Sequence, residues 1–576
     1  MQYLIEKIEQ INNSVNNFVW GPVMLAFFLL VGLLFTLRTG FFQIRQFRLW
    51  IGETLVSIFK RREVRKTNDK KAISQFQALS TALAATVGTG NIAGVATAIV
   101  LGGPGAVLWM WVSAFLGMMT NFAENVLGIH YRYKNQKGDW AGGPMVYIER
   151  GLKCKWLAVV FSIFCLLASF GIGNMTQINS ISSALHDSFS IPPIVTGIVV
   201  AVFIALVILG GIKRIASVTE KIVPFMVLLY FAGGIACIFA NIVEVPGAFK
   251  MIFTEAFGFR SAAGGVAGYG IMMAMRRGIS RGVFSNEAGL GSSVMVHSAS
   301  DVKEPVVQGM WGIFEVFADT MVVCTITALV ILTSGAYDYA AYSDYALDKN
   351  VKMEAIQADC AAALQALTAE ETGMQSAIDI LDEHMSRIIL ECNAGETNDG
   401  KIKVYNASAV FDAMTVSAGQ VVKRADDSQL DAFLKSAAQR KERYLSGISE
   451  ISVKNGVPLT NAAFAETFGN AGKMFVSIAI MLFAFSTILG WSYYGERSVE
   501  YLFGLKAIPI YKLIFTAFII IGSVSSLNLV WDISDTFNGL MALPNLIAVT
   551  LLSGQVVKIT RDYMRRRRQG RLEDSL

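Results

Sequence analysis

The sequence predicts an all-α polytopic membrane protein with about eleven transmembrane helices. Its composition and the spacing of its apolar runs predict this class, and two glycine-rich interruptions within those runs suggest where it binds a ligand. Of the 576 residues, 53% are hydrophobic and only 16% are charged, and the mean hydropathy is +0.49. A soluble chain carries about 25% charged residues. The excess of apolar residues therefore excludes a disordered or nucleic-acid-coating protein.

Eleven apolar segments have the length, about 20 residues, that a helix needs to cross a bilayer. The first, residues 18–37, carries no charge, and its apolar core is longer than that of a cleavable signal peptide. The other ten cover 76–101, 106–129, 156–178, 193–212, 222–242, a glycine-rich stretch at 264–296, 312–334, 474–490, 508–524 and part of 527–556.

Clusters of Lys and Arg predict which ends of these segments face the cytoplasm. Segment 38–72 contains ten such residues, and further clusters lie in 130–155, in 210–221 and in the tail at 558–568. With eleven spans, all four clusters fall on one side, which the positive-inside rule identifies as cytoplasmic. We therefore expect a bacterial plasma (inner) membrane protein with an outside N-terminus and a cytoplasmic C-terminus. The arginines of the basic tail are expected to be a positive-inside stop and not a nucleic-acid-binding segment.

Charge and hydropathy divide the chain into six predicted parts. They are an extra N-terminal helix with a basic segment (1–72), a first five-helix repeat (73–245), the start of a second repeat (246–335), an acidic insertion (336–470), the rest of the second repeat (471–557) and a basic tail (558–576). The insertion has 20 acidic and 12 basic residues and no spanning run, so it is predicted outside the cytoplasm, with helices at 350–395 and 420–450. Its Cys360 and Cys392 either form a disulfide, which an oxidising exterior permits, or stay unpaired.

Two segments interrupt apolar helices with glycine and small polar residues. Residues 81–98 place Gly88, Gly90 and Asn91 at the centre of a span, and residues 283–293 place similar residues beside Glu287. Close packing of helices through small residues is one interpretation. However, once the first span is set aside, each interruption falls in the first helix of a group of five. Matching interruptions of this kind are typical of an inverted-repeat transporter, in which broken helix ends bind a carboxylate, an ammonium group or a cation.

Three motifs carry a resemblance to a known family. Gly-Thr-Gly-Asn-Ile-Ala-Gly-Val-Ala-Thr-Ala-Ile (88–99), Gly-Gly-Pro-Met-Val-Tyr-Ile (142–148) and Arg-Gly-Val-Phe-Ser-Asn-Glu-Ala-Gly-Leu-Gly-Ser (281–292) resemble signatures of the alanine or glycine:cation symporters. The resemblance covers most of 10–335 and 470–560. It implies a LeuT-type 5+5 inverted repeat preceded by one extra helix, and cation-coupled uptake of alanine or glycine. It implies Na⁺ as the coupling ion, with H⁺ as the alternative, and no other cofactor. The long insertion departs from the family pattern.

The resemblance also implies substrate-binding residues. In the first break the Thr89 and Gly90 amides would hold the substrate carboxylate, and in the second break carbonyls would hold its ammonium group. Packing between helices, or an interfacial position for the tryptophan, is the alternative interpretation. The full predicted set is Thr89, Gly90, Asn91, Asn174, Gln177, Phe284, Ser285, Asn286, Gly289 and Trp491.

A sodium site is predicted from the same resemblance, between the first broken helix and the ninth span. Hard cations prefer oxygen ligands, and this pair of helices offers carbonyls and hydroxyls. Hydrogen bonding of the two hydroxyls within their own helix is the alternative. The predicted ligands are the carbonyls of Ala84, Val87 and Phe483 and the hydroxyls of Ser486 and Thr487.

Four acidic residues are predicted at membrane depth, where ionisable groups are costly and often functional. They are Glu124, Glu287, Glu315 and Asp319. They would either move protons or form ion pairs with Arg276, Arg277 or Arg281. An intramembrane enzyme using Glu287 or His297 is the alternative function from a different class, and an ion channel is a third. The sequence has neither a phosphate-binding loop nor a His-Glu-x-x-His motif, so we expect a transporter and not an enzyme.

Overall fold

The computed structural model describes residues 2–257, 266–337, 360–364, 374–393, 414–416, 418–419, 422–423, 430–447, 456–525 and 528–571. Two compact units are distinguished. The first combines Met1–Ala336 with Gly456–Leu576, and the second is Tyr337–Asn455. The predicted insertion extended to residue 470, whereas Val457–Phe468 forms a helix that belongs to the first unit.

The first unit is almost entirely helical. A two-stranded antiparallel sheet, β1 (Tyr133–Lys134) with β2 (Trp140–Ala141), is the sheet found in the described part of the chain. The helices before the second unit are α1 (Gln2–Val19), α2 (Pro22–Arg38), α3 (Phe42–Arg45), α4 (Phe47–Ile51), α5 (Ser57–Lys60), α6 (Arg62–Arg65), α7 (Gln75–Thr86), α8 (Ala93–Gly102), α9 (Ala106–Tyr131), α10 (Pro144–Leu152), α11 (Lys155–Phe170), α12 (Thr176–Phe189), α13 (Pro193–Ile208), α14 (Gly211–Ala240), α15 (Val245–Ala256), α16 (Val266–Asn286), α17 (Val294–His297), α18 (Pro305–Val316) and α19 (Thr325–Thr333).

The second unit contains α20 (Met374–Asn393) and α21 (Leu430–Gly447), which fall within the two segments predicted to be helical. The Arg440 guanidinium on α21 donates a hydrogen bond to Asp382 on α20, and Leu381 and Phe433 are buried. Cys360 is a free, buried thiol. The structure therefore has the unpaired alternative at Cys360, and the side chain of Cys392 lies outside the described residues.

The first unit continues with α22 (Val457–Phe468), α23 (Asn470–Phe503), α24 (Ile508–Val524), α25 (Asn528–Leu551) and α26 (Ser553–Arg568). Short π-helical and 3-10 turns interrupt or join its helices. They are π-helical at Gly52–Val56, Gly171–Met175 and Phe317–Cys324, and 3-10 helical at Thr89–Asn91, Ile242–Glu244 and Leu505–Ala507.

The outward faces of several helices are apolar, as expected for helices that contact lipid. Phe203 and Leu206 on α13, Phe225 on α14 and Leu513 on α24 are among the exposed large hydrophobic residues. Within the described residues, seven helices are long and apolar enough to cross a membrane, and nine if each of two bent pairs counts as one span. The protein is therefore a multi-pass helical membrane protein.

Each of the eleven predicted segments overlaps a helix of the first unit. Two of them differ from an ordinary span. Helix α13 has 16 residues, which is short for a crossing, and α16 contains three arginines, at 276, 277 and 281. The arrangement of eleven spans in two repeats therefore stays a prediction.

Candidate functional site

The first predicted break is present and divides a bent helix pair. Helix α7 begins with a capping box in which the Ser74 hydroxyl accepts from the Gln77 N–H and the Gln77 side chain accepts from the Ser74 N–H. It ends at Thr86, and the following segment, Thr89–Gly102, is inclined to it by 60°. The chain between them is extended at Gly88. Backbone groups are thus freed from helical bonding inside the bundle.

One side chain, Asn91, replaces a missing backbone bond at this break. The Gly88 N–H, which would bond the Ala84 carbonyl if the helix continued, donates instead to Asn91 Oδ1 at 2.9 Å. The 3-10 turn is closed by Asn91 N–H to the Gly88 carbonyl (3.2 Å) and Ile92 N–H to the Thr89 carbonyl (3.3 Å). Neither bond uses the N–H of Thr89 or of Gly90. These are the two donors predicted to hold a carboxylate.

The second predicted break begins where α16 ends, at Asn286. Glu287 adopts the left-handed region with φ 55°, and Gly289 and Gly291 follow with φ 94° and 75°. The Asn286 side chain supports the turn, because its Oδ1 accepts from the Ala288 N–H at 3.0 Å. A non-glycine residue at positive φ is uncommon and marks a backbone held by its surroundings.

The two breaks are in direct contact through polar side chains. Asn91 Nδ2 donates to Ser285 Oγ at 3.0 Å and to Asp319 Oδ1 at 2.7 Å, and Ser285 Oγ donates to Asp319 Oδ2 at 2.7 Å. Thr320 Oγ1 also donates to Asp319 Oδ2, at 2.8 Å, and accepts from Asn286 Nδ2 at 3.1 Å. All five residues are buried. Two of the predicted residues, Asn91 and Ser285, therefore meet at the Asp319 carboxylate, and Asn286 reaches it through Thr320. The predicted substrate set did not include Asp319.

A cavity of about 370 Å³ leads to the first break. Thr89, Gly90 and Phe284 are among the residues that line it. A methyl group on Gly90 would lie 3.5 Å from the nearest ring carbon of Phe284, so this ring stands directly beside the break. Arg281 also lines the cavity, with its guanidinium 5.3 Å from the centre of the Phe284 ring.

Predicted residues from α12, from the π-helical turn before it and from α23 approach the breaks to different degrees. Thr89 Oγ1 donates to Gln177 Oε1 at 3.2 Å, which joins Gln177 to the first break. Trp491 Nε1 donates to Glu287 Oε1 at 3.0 Å, which joins Trp491 to the second. Asn174, by contrast, donates to the Phe515 carbonyl on α24 at 2.7 Å. The hydrogen bonds described do not join Asn174 to either break, so its predicted contact with the substrate stays a prediction.

The predicted sodium ligands come from two helices that pack closely. A methyl group on Gly490 would lie 2.6 Å from Ala85 Cβ, and one on Gly88 would lie 2.5 Å from Thr487 Oγ1. The hydroxyls of Ser486 and Thr487 both donate to the Phe483 carbonyl, at 2.8 and 3.0 Å. This is the bonding that the sequence left as an alternative. It uses the hydroxyl hydrogens and leaves oxygen lone pairs for a cation.

The buried acids do not take the predicted arginines as partners, so that alternative is wrong. Glu287 accepts from Trp491 and Ser292, and Asp319 accepts from Asn91, Ser285 and Thr320. Glu124 Oε1 accepts from Asn545 Nδ2 at 2.5 Å. Glu315 Oε2 lies 2.8 Å from His297 Nε2. The arginines point elsewhere, since Arg276 donates to Asn17 and Arg281 lies 3.9 Å from Asp535.

Together, the fold and the site define a class of protein: a multi-pass helical membrane protein in which two broken helices meet around a buried polar centre reached by a small cavity. The chain belongs to the sodium:alanine symporter family, whose sequence profile matches residues 5–372 and 442–575. The resemblance carried by the three motifs is therefore confirmed. The unmatched internal segment, residues 373–441, falls within the predicted insertion.

Known proteins of this kind align along nearly the whole chain. The sodium/alanine symporter AgcS of Methanococcus maripaludis is 38% identical over 555 residues, which cover 96% of each chain. The probable sodium/glutamine symporter GlnT of Bacillus subtilis is 31% identical over 573 residues, or 99% of this chain and 93% of the relative. A mutant manganese transporter of Eremococcus coleocola, a solved structure, superposes with a TM-score of 0.34 at 12% identity, covering 80% of this chain and 95% of its own. A similarity at that level does not define a fold.

Proposed function

We propose that the protein carries alanine or glycine into the cell by sodium-coupled symport. The single observation that carries this proposal is the contact between the two breaks, in which Asn91 bonds both Ser285 and Asp319. This contact supports a binding site in which backbone groups of both broken helices, freed from helical hydrogen bonds, bind one small ligand. We propose eleven spans in a LeuT-type 5+5 repeat after one extra helix, with the N-terminus outside.

The substrate would bind in the cavity beside Thr89, Gly90 and Phe284. Thr89 and Gly90 would donate their N–H groups to its carboxylate, since helix ends with free amides attract anions. Carbonyls of the second break, from Phe284 to Gly289, would accept from its ammonium group. Asn91, Asn174, Gln177 and Trp491 complete the proposed set.

A short substrate side chain fits this site best. Gly90 and the Phe284 ring leave room for little more than one methyl group between them, because a Cβ on Gly90 would already be in contact with the ring. This geometry favours alanine or glycine over glutamine, the substrate in the name of the Bacillus subtilis relative. A hydrophobic pocket discriminates by about 1–3 kcal/mol per methylene, so preference and not absolute exclusion is expected.

Sodium would bind between α7 and α23, at the carbonyls of Ala84, Val87 and Phe483 and the hydroxyls of Ser486 and Thr487. The short approach of Gly88 to Thr487 supports this placement. An ion there would tie the first broken helix to the ninth span. Substrate and ion would then favour closure of the cavity on the proposed outer side, after which the repeats rock to release both inward.

Uptake into proteoliposomes tests the proposal. Labelled alanine should accumulate under an inward Na⁺ gradient, and Thr487→Ala should reduce the initial rate at least tenfold, because a ligand to a charged group contributes about 1.5–3 kcal/mol. Ser498→Ala is the matched control, since the Ser498 hydroxyl also bonds a carbonyl of α23, that of Tyr494, at 3.1 Å. Equal loss in both variants, or no Na⁺-driven uptake of alanine or glycine by folded protein, would contradict the proposal.

Proton-coupled uptake is the second candidate, and the fully buried Asp319 between the breaks favours it. In that case an inward H⁺ gradient alone should drive alanine uptake, and Asp319→Asn should abolish the response to that gradient. Under sodium coupling, the same variant should keep a Na⁺-driven response with weakened substrate affinity. The two gradients applied to one preparation separate the candidates.

A further inference from the structure

A basic cleft lies between the end of α2 and the C-terminal helix α26. The residues that line it are distant in sequence from those of the proposed transport site. It consists of two adjoining cavities of about 510 and 560 Å³ that share Arg38, Arg561 and Arg565. Arg45 and Arg568 line the first cavity, and Lys558 and Asp562 line the second. Basic residues thus outnumber acidic ones in both, and each cavity is large enough for a phosphate group.

The arrangement of basic residues on α26 separates those that anchor the helix from those that face the cleft. Arg566 forms a bidentate pair with Glu304, at 2.6 and 2.9 Å, and Arg567 bonds Glu53 at 2.9 Å. These two contacts hold α26 against the rest of the first unit. The remaining basic residues recur at intervals of three, four and three residues, which places them on one side of a helix. They are Lys558, Arg561, Arg565 and Arg568, and all are exposed.

Exposed apolar residues border the same cleft. Leu37, Phe41 and Ile44 alternate in sequence with the cleft residues of α2 and α3, and each is exposed. Leu551, also exposed, lies at the end of α25 immediately before α26. A charged cleft with an apolar border matches a ligand that has an anionic headgroup and hydrocarbon chains. A soluble anion would use only the charged part.

We propose that this cleft binds an anionic phospholipid, with its phosphates in the two cavities. Guanidinium groups bind phosphate oxygens through paired, charge-assisted hydrogen bonds, and basic pockets beside membrane helices bind such headgroups. Because the cavities adjoin and share three arginines, a headgroup with two phosphates, as in cardiolipin, fits better than one with a single phosphate. The bound lipid would join the extra N-terminal helix to the C-terminal helix.

Native mass spectrometry of the purified full chain tests this site directly. Tetraoleoyl-cardiolipin, dioleoyl-phosphatidylglycerol, dioleoyl-phosphatidylcholine and inorganic phosphate are added separately at matched phosphate concentration. Cardiolipin should bind most tightly, then phosphatidylglycerol, and phosphatidylcholine at least tenfold more weakly. Arg561→Gln/Arg565→Gln should weaken cardiolipin binding about 30-fold, because each basic residue near an anionic lipid contributes about 1 kcal/mol.

The matched control is Arg62→Gln/Arg65→Gln, which removes two exposed arginines that do not line either cavity. It should change cardiolipin affinity less than twofold. Equal weakening in both double variants would show a diffuse charge effect and overturn the site. Equal affinity for cardiolipin and phosphatidylcholine would also overturn it. Displacement of cardiolipin by an equal concentration of inorganic phosphate would assign the cleft to a soluble anion instead of a lipid.

Discussion

The indole of Trp491 donates a hydrogen bond to the carboxylate of Glu287, with 3.0 Å between Nε1 and Oε1. Both residues are buried, and Glu287 is the residue at positive φ where the second broken helix turns. A side chain of helix α23 therefore holds the second break. Glu287 is further bonded by Ser292 within the same turn.

Loss of this bond should weaken transport. Trp491→Phe leaves Glu287 Oε1 without its donor, and hydrogen bonds to charged groups contribute about 1.5–3 kcal/mol. We expect alanine uptake to fall at least tenfold. Trp311→Phe is the matched control, because Trp311 is equally buried and donates to Gln75 at 3.0 Å outside the site. If Trp311→Phe lowers alanine uptake as much as Trp491→Phe does, and the two variants are equally stable, the Trp491 contact has no special role in transport.

Gly88→Ala should disturb the proposed sodium site specifically. The added methyl group would lie 2.5 Å from Thr487 Oγ1, so the hydroxyl must move. Overpacking of this kind costs about 1–3 kcal/mol. We expect the Na⁺ concentration for half-maximal uptake to rise about tenfold. Gly94→Ala is the matched control, because it lies in the same broken helix and has open space around the new methyl group. It should change the Na⁺ concentration for half-maximal uptake little. An unchanged Na⁺ dependence in Gly88→Ala would place the ion elsewhere.

Phe284→Ala should enlarge the substrate space. The ring borders the cavity beside Gly90, and its removal leaves room for a longer side chain. The ratio of glutamine to alanine uptake should rise at least tenfold, since one methylene is worth about 1–3 kcal/mol. Both rates are measured on the same preparation, so differences in folding cancel. A lower rate for both substrates with an unchanged ratio would remove Phe284 from the specificity site.

His297 and Glu315 should contribute to stability more than to transport. Their side chains are fully buried and lie 2.8 Å apart, and Gln308 contacts the other ring nitrogen of His297 at 2.5 Å. Breaking a buried pair by removing one partner costs about 3–5 kcal/mol when the pair is charged. His297→Ala should therefore lower the melting temperature by several degrees, and Glu315→Gln, which keeps an acceptor, by less. Lost uptake at an unchanged melting temperature would indicate a role in proton movement instead.

The sequence located both breaks because clusters of glycine and small polar residues weaken a helix inside an apolar run. It did not reveal that Asp319 connects them. Asn91 and Asp319 are separated by 228 positions, and no periodicity links residues on two different helices. The same difficulty accounts for the wrong arginine partners. Charge balance suggested ion pairs for the buried acids, whereas indole, amide and hydroxyl donors satisfy Glu287 and Asp319.

The number of spans was harder to predict for a similar reason. Helix α16 contains three arginines, of which Arg281 lines the cavity, so hydropathy alone does not identify it as a span. Helix α13 is only 16 residues long, although its exposed residues are strongly apolar. Local composition predicts that a helix exists more reliably than it predicts how that helix sits among its neighbours.

The bonds of Asn91 have a mechanical consequence. Its Oδ1 holds the Gly88 backbone, and its Nδ2 holds Ser285 and Asp319, so one amide plane is fixed to three separate elements. If one broken helix rotated against the other, these bonds would be stretched least when the rotation axis passed through that amide. In the proposed alternating access, Asn91 would therefore act as a pivot. Displacements grow with distance from a pivot, so the two ends of each broken helix would swing widely while the centre stays assembled.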